Sequence, residues 1–111
     1  LVLTAGPPTL VFDEVDAGIG GVTAVTVGER LAELAMGRQV VVITHLPQVA
    51  AAARRHYRLV KGAAPDGRAI TTIEAVEGEA LVDEICRMLG SAADDAAARR
   101  HAEELLARRA A

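Results

Sequence analysis

Two acidic residues follow a short apolar run near the start of the sequence. Leu10, Val11 and Phe12 lead directly into Asp13 and Glu14. Such a run predicts a strand that is buried on both faces of a parallel sheet. Because carboxylates are costly to bury, a pair at the carboxyl end of this strand is expected to face a crevice. There one carboxylate can hold a hydrated cation and the other can polarise a water molecule.

A second polar strand end lies about thirty residues further on. Residues 39–43 form a β-branched run that is followed by Thr44 and His45. The spacing leaves room for one crossover helix between two parallel strands, which is a βαβ unit. Two simpler interpretations stay open on spacing alone: an ordinary surface turn at residues 16–18, and a structural histidine at the end of the second strand.

The composition limits the possible functions. The chain has 111 residues, enough for one small domain, and it is 51% hydrophobic but only 2% aromatic. A core of Ala, Val, Leu and Ile suits helices packed on a sheet, and it argues against an aromatic platform that stacks bases. The formal net charge of -3 gives no global attraction to nucleic acid.

Phosphate-binding loops are not found in this sequence. Lys61 is the only lysine, and it precedes Gly62 rather than following a glycine, so no G-x-x-x-x-G-K-[ST] loop is present. The glycines at 18, 20 and 21 do not match a dinucleotide-binding G-x-G-x-x-G pattern, which would need glycine in place of Thr23. By itself the chain lacks the phosphate-binding half of a nucleotide site.

The first residues, the apolar stretches and the one cysteine together predict a fragment of a cytosolic protein. Residues 1–8 end in a Gly-Pro-Pro linker and do not begin with Met, which favours a fragment of a longer protein. No apolar stretch is long enough to span a membrane, and the first residues do not form a signal peptide. Cys86 has no partner for an internal disulfide, so it is expected to be a small core residue in a cytosolic protein.

The crossover segment predicts an amphipathic helix. Thr23 is expected to cap a helix that runs to about Met36, and Gly37 to supply a left-handed exit. The predicted inner face of this helix consists of Ala24, Val27, Leu31, Leu34 and Ala35. Residues 46–53 then predict a short helix with proline in its first turn.

The remainder predicts a hairpin and two helices. Residues 56–61 and 69–76 alternate as strands around a turn, with one solvated face. A helix over residues 79–89, ended by Gly90, is expected to pair Asp83 with Arg87 on its surface. A capping box of Ser91 and Asp94 would start the last helix, which runs to about residue 109. Its apolar stripe is Ala98, Ala102, Leu105 and Leu106, and its solvated basic residues are Arg99, Arg100, Arg108 and Arg109.

Two motifs together resemble one family. Residues 13–21 read Asp-Glu-Val-Asp-Ala-Gly-Ile-Gly-Gly, and residues 44–50 read Thr-His-Leu-Pro-Gln-Val-Ala. They resemble the C-terminal part of the RecN family of bacterial DNA repair proteins, relatives of the SMC proteins within the ABC-type ATPases. The resemblance covers most of the chain and is weakest at residues 62–68. It implies an α/β fold, the C-terminal portion of a P-loop NTPase head whose Walker A strand lies before Leu1.

The same resemblance divides the single head fragment, residues 1–111, into parts and assigns roles. Residues 1–8 would end a preceding helix and linker, residues 9–61 would hold the Walker B, D-loop and switch-histidine core, and residues 62–111 would add the hairpin and last helices. Asp13 would hold Mg²⁺ through water, Glu14 would deprotonate the attacking water, and His45 would sense the γ-phosphate. The D-loop, which would contact ATP across a head dimer, would comprise Asp16, Gly18, Gly20 and Gly21. Ile19-Gly20 stands where SMC proteins have a terminal Asp, which weakens any side-chain role for this loop.

Function and partners follow as expectations from the resemblance. The chain would belong to an ATP- and Mg²⁺-dependent ATPase head in DNA double-strand break repair and recombination, and it would be inactive as this fragment alone. Its partners would be the N-terminal head segment, a second copy of the head and, through the complete protein, DNA, with no membrane. The expected location is the bacterial cytoplasm at the nucleoid. The alternative is a non-catalytic α/β interaction module derived from such a head.

Overall fold

A parallel βαβ unit forms the first half of the molecule. The computed structural model describes residues 9–13, 21–92 and 94–109. Strand β1 (Thr9–Asp13), helix α1 (Gly21–Leu34) and strand β2 (Gln39–Ile43) follow one another, and β1 pairs with β2 in parallel. The register runs from Thr9 opposite Gln39 to Asp13 opposite Ile43. The predicted crossover between two parallel strands is therefore confirmed.

One face of this two-stranded sheet is open. Val11 is 64% exposed, Val41 42% and Ile43 47%, whereas Leu10 and Phe12 on the other face are half-buried. The prediction that the first strand is buried on both faces is therefore wrong for the described part of the chain. The physical reason is that alternate side chains point to opposite faces, and no described element covers the face of Val11.

Helix α1 starts and ends earlier than predicted. It begins at Gly21, so Thr23 is an exposed residue inside its first turn rather than its cap. At its other end, the N–H of Met36 donates to the carbonyl of Glu33 at 3.1 Å, which closes the helix before Gly37 is reached. Gly37 consequently has no left-handed backbone, and that prediction is wrong.

A one-turn helix and a hairpin follow. Helix α2 (Pro47–Ala50) has proline at its start, as predicted. Strands β3 (His56–Ala63) and β4 (Ala69–Val76) pair antiparallel around a turn in which Gly67 has a φ of 86°. This hairpin forms a separate two-stranded sheet and does not pair with β1 or β2. The predicted single solvated face is wrong for β4, because every residue of that strand except Val76 is exposed.

The core lies among α2, the end of β4, helix α3 (Glu79–Met88) and helix α4 (Ala96–Ala107). Ile85 and Cys86 are fully buried at its centre. The predicted stripe of α4 is confirmed, with Ala102 and Leu105 buried and Ala98 and Leu106 packed against the same cluster.

The ends of the last two helices differ in part from the predictions. Gly90 ends α3 with a φ of 85°, as predicted. The cap of α4 is Asp95, which accepts a hydrogen bond from the N–H of Ala98 at 3.0 Å, and not the predicted pair of Ser91 and Asp94. The reason is position: the helix starts at residue 96, so the side chain of Asp95 is the one that reaches its free amides.

The ion pairs on α3 also differ from those predicted. Arg87 binds Glu84 rather than Asp83, and Asp83 instead accepts a hydrogen bond from Nη1 of Arg99 on α4 at 2.7 Å. Arg99 also contacts Glu79. Arg99 is therefore a bridge between the two helices, and its assignment to a solvated basic face is wrong.

Candidate functional site

Asp13 and His45 lie at the same edge of the parallel sheet. Asp13 is the last residue of β1 and is exposed, and its register partner is Ile43, the last residue of β2. His45 comes two residues after Ile43 and is also exposed. The carboxyl ends of parallel strands are the edge at which α/β proteins place their ligand sites. Pairing of the two strands thus brings one carboxylate and one imidazole to this edge.

The turn that carries His45 is held by hydrogen bonds on both sides. The N–H of Leu46 donates to Oγ1 of Thr44 at 3.0 Å. The carbonyl of Leu46 accepts hydrogen bonds from Val49 and Ala50 at 3.2 Å and 3.0 Å, which are the first bonds of α2. The backbone around His45 is therefore tied directly to the start of α2.

Most of the predicted acidic motif falls outside the described residues. Glu14, Asp16, Gly18 and Gly20 all belong to residues 14–20, of which no structure is described, and Gly21 is the first residue of α1. The catalytic role of Glu14 and the D-loop roles stay predictions. Within the described ranges, no group of three or more His, Cys, Asp or Glu side chains is arranged to hold a metal ion.

The chemistry of Asp13 fits a hydrated magnesium ion. Mg²⁺ keeps several of its waters in proteins and takes one or two carboxylates, and an exposed carboxylate at a strand end meets that need. Lys61, the only lysine in the sequence, lies on β3 in the separate hairpin. A single exposed carboxylate is compatible with a hydrated Mg²⁺, and the metal role of Asp13 stays a prediction.

Glu84 on α3 is a buried carboxylate that was not predicted from the sequence. Glu84 is only 3% exposed, and its Oε1 accepts a hydrogen bond from Nε of Arg87 at 2.9 Å. Nη1 of Arg58 on β3 lies 3.7 Å from the same oxygen. The hydrogen bond from Arg87 lowers the pKa of Glu84, against the opposing effect of burial. The sequence does indicate this burial, because Glu84 falls on the apolar face that Leu81, Ile85 and Met88 define at helical spacing.

His56 completes this cluster at the start of β3. It is half-buried, and burial lowers its pKa; the carboxylate of Glu84 acts in the opposite direction, and Arg87 adds to the lowering. Arg58 also binds Glu74 across the hairpin, with Nη2 and Oε2 2.6 Å apart. These contacts join the hairpin to α3, so the cluster serves to hold the fold together.

No helix in the described part of the chain has both the length and the apolar character needed to cross a membrane.

Comparison with known proteins finds RecN proteins from several bacteria as relatives of this chain. The chain is 49% identical over 106 residues to the DNA repair protein RecN of Deinococcus radiodurans, which covers 96% of the chain and 18% of that protein. It is 53% identical over 100 residues to RecN of Streptomyces coelicolor, covering 89% and 17%. For RecN of Mycobacterium tuberculosis H37Rv the identity is 47% over 102 residues, covering 92% and 17%. No family model matches the chain.

Proposed function

Because the chain belongs to the RecN family, of which it is a C-terminal segment spanning 17–18% of its relatives' length, we propose that it supplies half of an ATPase site. In this proposal the segment is part of the head of a P-loop NTPase of the ABC and SMC type. It carries the Walker B carboxylates and the switch histidine of a protein that acts in DNA double-strand break repair.

The register of β1 with β2 is the observation that carries this proposal. It places Asp13 and His45 at adjacent strand ends, the edge at which a nucleotide would bind in such a fold. Core packing does not require either group, since both side chains are exposed. A carboxylate and an imidazole at this edge could serve phosphoryl transfer, the first beside the metal ion and the second beside the attacking water.

Each residue has a proposed role. Asp13 would hold Mg²⁺ through water, Glu14 would orient and deprotonate the attacking water, and His45 would contact the γ-phosphate or that water. Mg²⁺, when bound, supplies positive charge that neutralises the β- and γ-phosphates. The D-loop residues Asp16, Gly18, Gly20 and Gly21 would face the site of a second head. The phosphate-binding loop would come from an N-terminal head segment.

The proposed cycle concerns the complete protein. Two heads would close on bound ATP and separate after hydrolysis, and DNA would be engaged through the complete protein in the bacterial cytoplasm. A second candidate function is a non-catalytic interaction module. The open sheet face of Val11, Val41 and Ile43 favours it, because exposed apolar faces commonly mark contacts with other protein segments.

Turnover of ATP separates the two functions. In the complete protein that carries this segment, Glu14→Gln should abolish hydrolysis and leave ATP binding intact, because the amide keeps the shape of the side chain but accepts no proton. Glu103→Gln, at an exposed position of α4, is the matched control. Near-normal hydrolysis by Glu14→Gln would refute the role of Glu14, and a wild-type protein without ATPase activity would favour the interaction module.

A further inference from the structure

Gly28 is buried where α1 meets the segment of α2. A Cβ atom built on Gly28 would lie 3.1 Å from Cβ of Ala52 and 3.1 Å from the carbonyl oxygen of Gln48, with Cα of Val49 at 3.5 Å. Glycine inside a helix lowers helix stability relative to alanine. Its presence here is explained by the close approach of two backbones, because a side chain of any size would meet the carbonyl of Gln48.

The segment that Gly28 contacts also fixes the turn of His45. Helix α2 has only one turn, and Leu46, its cap, is the residue directly after His45. The carbonyl of Leu46 accepts the first hydrogen bonds of α2, and its N–H is bound by Thr44 at 3.0 Å. Because the N–H of Val49 donates directly to the carbonyl of Leu46, we expect a shift of Val49 to move the backbone next to His45.

We propose that Gly28 is a positioning residue for His45. By having no side chain, it lets α1 and α2 approach closely, and α2 in turn sets where the imidazole of His45 stands relative to Asp13 at the sheet edge. This inference rests on the proposed function of His45. Replacement of Gly28 by alanine creates contacts at 3.1 Å with groups that are not flexible side-chain ends, so α2 has to move by a few tenths of an ångström.

The test uses steady-state ATP hydrolysis by the complete protein that carries this segment. Gly28→Ala should lower kcat about tenfold, because small misplacements of a catalytic group have large effects on rate. The KM for ATP should stay near that of the wild type, since the metal-binding carboxylate on β1 is not displaced. Gly37→Ala is the matched control, because a Cβ there meets nothing within 4 Å, and it should retain wild-type kcat.

A rescue variant distinguishes positioning from a general loss of structure. Ala52→Gly removes one of the two contacts at 3.1 Å, so Gly28→Ala combined with Ala52→Gly should recover part of the lost kcat. The higher helix propensity of alanine offsets the cost of the new contacts in part, so the melting temperature of Gly28→Ala should change little while kcat falls. If Gly28→Ala fails to fold, Ala52→Val, which enlarges the side chain that faces Gly28, should lower kcat instead.

Two results would overturn the inference: wild-type kcat in a folded Gly28→Ala, or an equal loss of kcat in the control Gly37→Ala. His45→Ala in the same assay separates this failure from that of the proposed function. If His45→Ala loses activity while Gly28→Ala does not, only the positioning role is refuted. If His45→Ala hydrolyses ATP at the wild-type rate, the role of His45 itself is refuted, and the positioning role with it.

Discussion

Glu84 and Arg87 form an ion pair in which the carboxylate is buried and the guanidinium is exposed. Their relative exposures are 3% and 68%, and the pair joins residues three positions apart on α3. Arg30 and Glu33 on α1 are also three positions apart, with N and O 3.3 Å apart, but they are 74% and 63% exposed. The two pairs therefore have the same helical spacing in opposite environments.

Removal of the arginine should accordingly have unequal effects. Arg87→Ala leaves a buried carboxylate without its main donor and should lower the local free energy of unfolding by about 2 kcal/mol. Arg30→Ala, the matched control, should change it by less than about 0.5 kcal/mol, because exposed pairs contribute little. Hydrogen exchange of residues 79–88 and 21–34 in the complete protein measures both values. Equal effects would mean that burial of Glu84 does not matter.

Acid should weaken the junction of the hairpin with α3 in two steps. The folded pKa of His56 is lowered from its usual 6.5 and that of Glu84 from 4.5, so in each case the unfolded chain binds a proton more readily. Stability is full above pH 6.5, falls below it as His56 is protonated, and falls again below pH 4.5 through Glu84. Local hydrogen exchange against pH measures this loss, and His56→Gln should remove the first step but not the second.

Loss of the carboxylate at residue 13 should affect metal-dependent binding. In the complete protein, Asp13→Asn should weaken ATP binding in the presence of Mg²⁺ about tenfold or more, because the amide carries no charge to balance the ion. Binding without Mg²⁺ should change little. Isothermal titration with and without the metal measures the difference, and Asp94→Asn, an exposed residue before α4, is the control. An equal loss under both conditions would argue against a metal role.

The open sheet should make the isolated 111-residue chain marginally stable or prone to associate. Strands β1 and β2 pair only with each other among the described residues, and Val11, Val41 and Ile43 are exposed on one face. β-Prone, uncharged strands with free edges favour association. Val41→Lys should reduce association in sedimentation velocity, whereas Thr26→Lys on an exposed position of α1 should not. Co-expression with the N-terminal head segment should also suppress it.

A stable, monomeric chain would contradict this prediction. A monodisperse wild-type chain with a sharp cooperative melt and slow exchange of the amides of residues 40–43 would show that two strands suffice for this sheet.

Part of the candidate site was predictable from the sequence because it depends on strand order. Asp13 follows an apolar run and His45 follows a β-branched run, and the segment between them has room for the crossover helix of a parallel pair. The two strand ends were therefore expected to meet at one edge, and the register of β1 with β2 confirms this expectation. The contribution of Gly28 was not predictable, because a glycine in a helical pattern gives no sign of which backbone approaches it.

The sequence by itself determined the order of the elements, the end of α3 at Gly90 and the buried stripe of α4, since periodicity and backbone chemistry act over a few neighbouring residues. The tertiary structure alone determined which residue each charged side chain pairs with. On α3, Arg87 lies within one turn of both Asp83 and Glu84, and helical spacing does not choose between them. Arg99 of α4 binds Asp83, while Glu84 faces the core and β3, so Arg87 pairs with Glu84. Similarly, the backbone of β1 directs alternate side chains to opposite faces of the sheet. Only tertiary packing determined that the face of Leu10 and Phe12 is covered and that of Val11 is not.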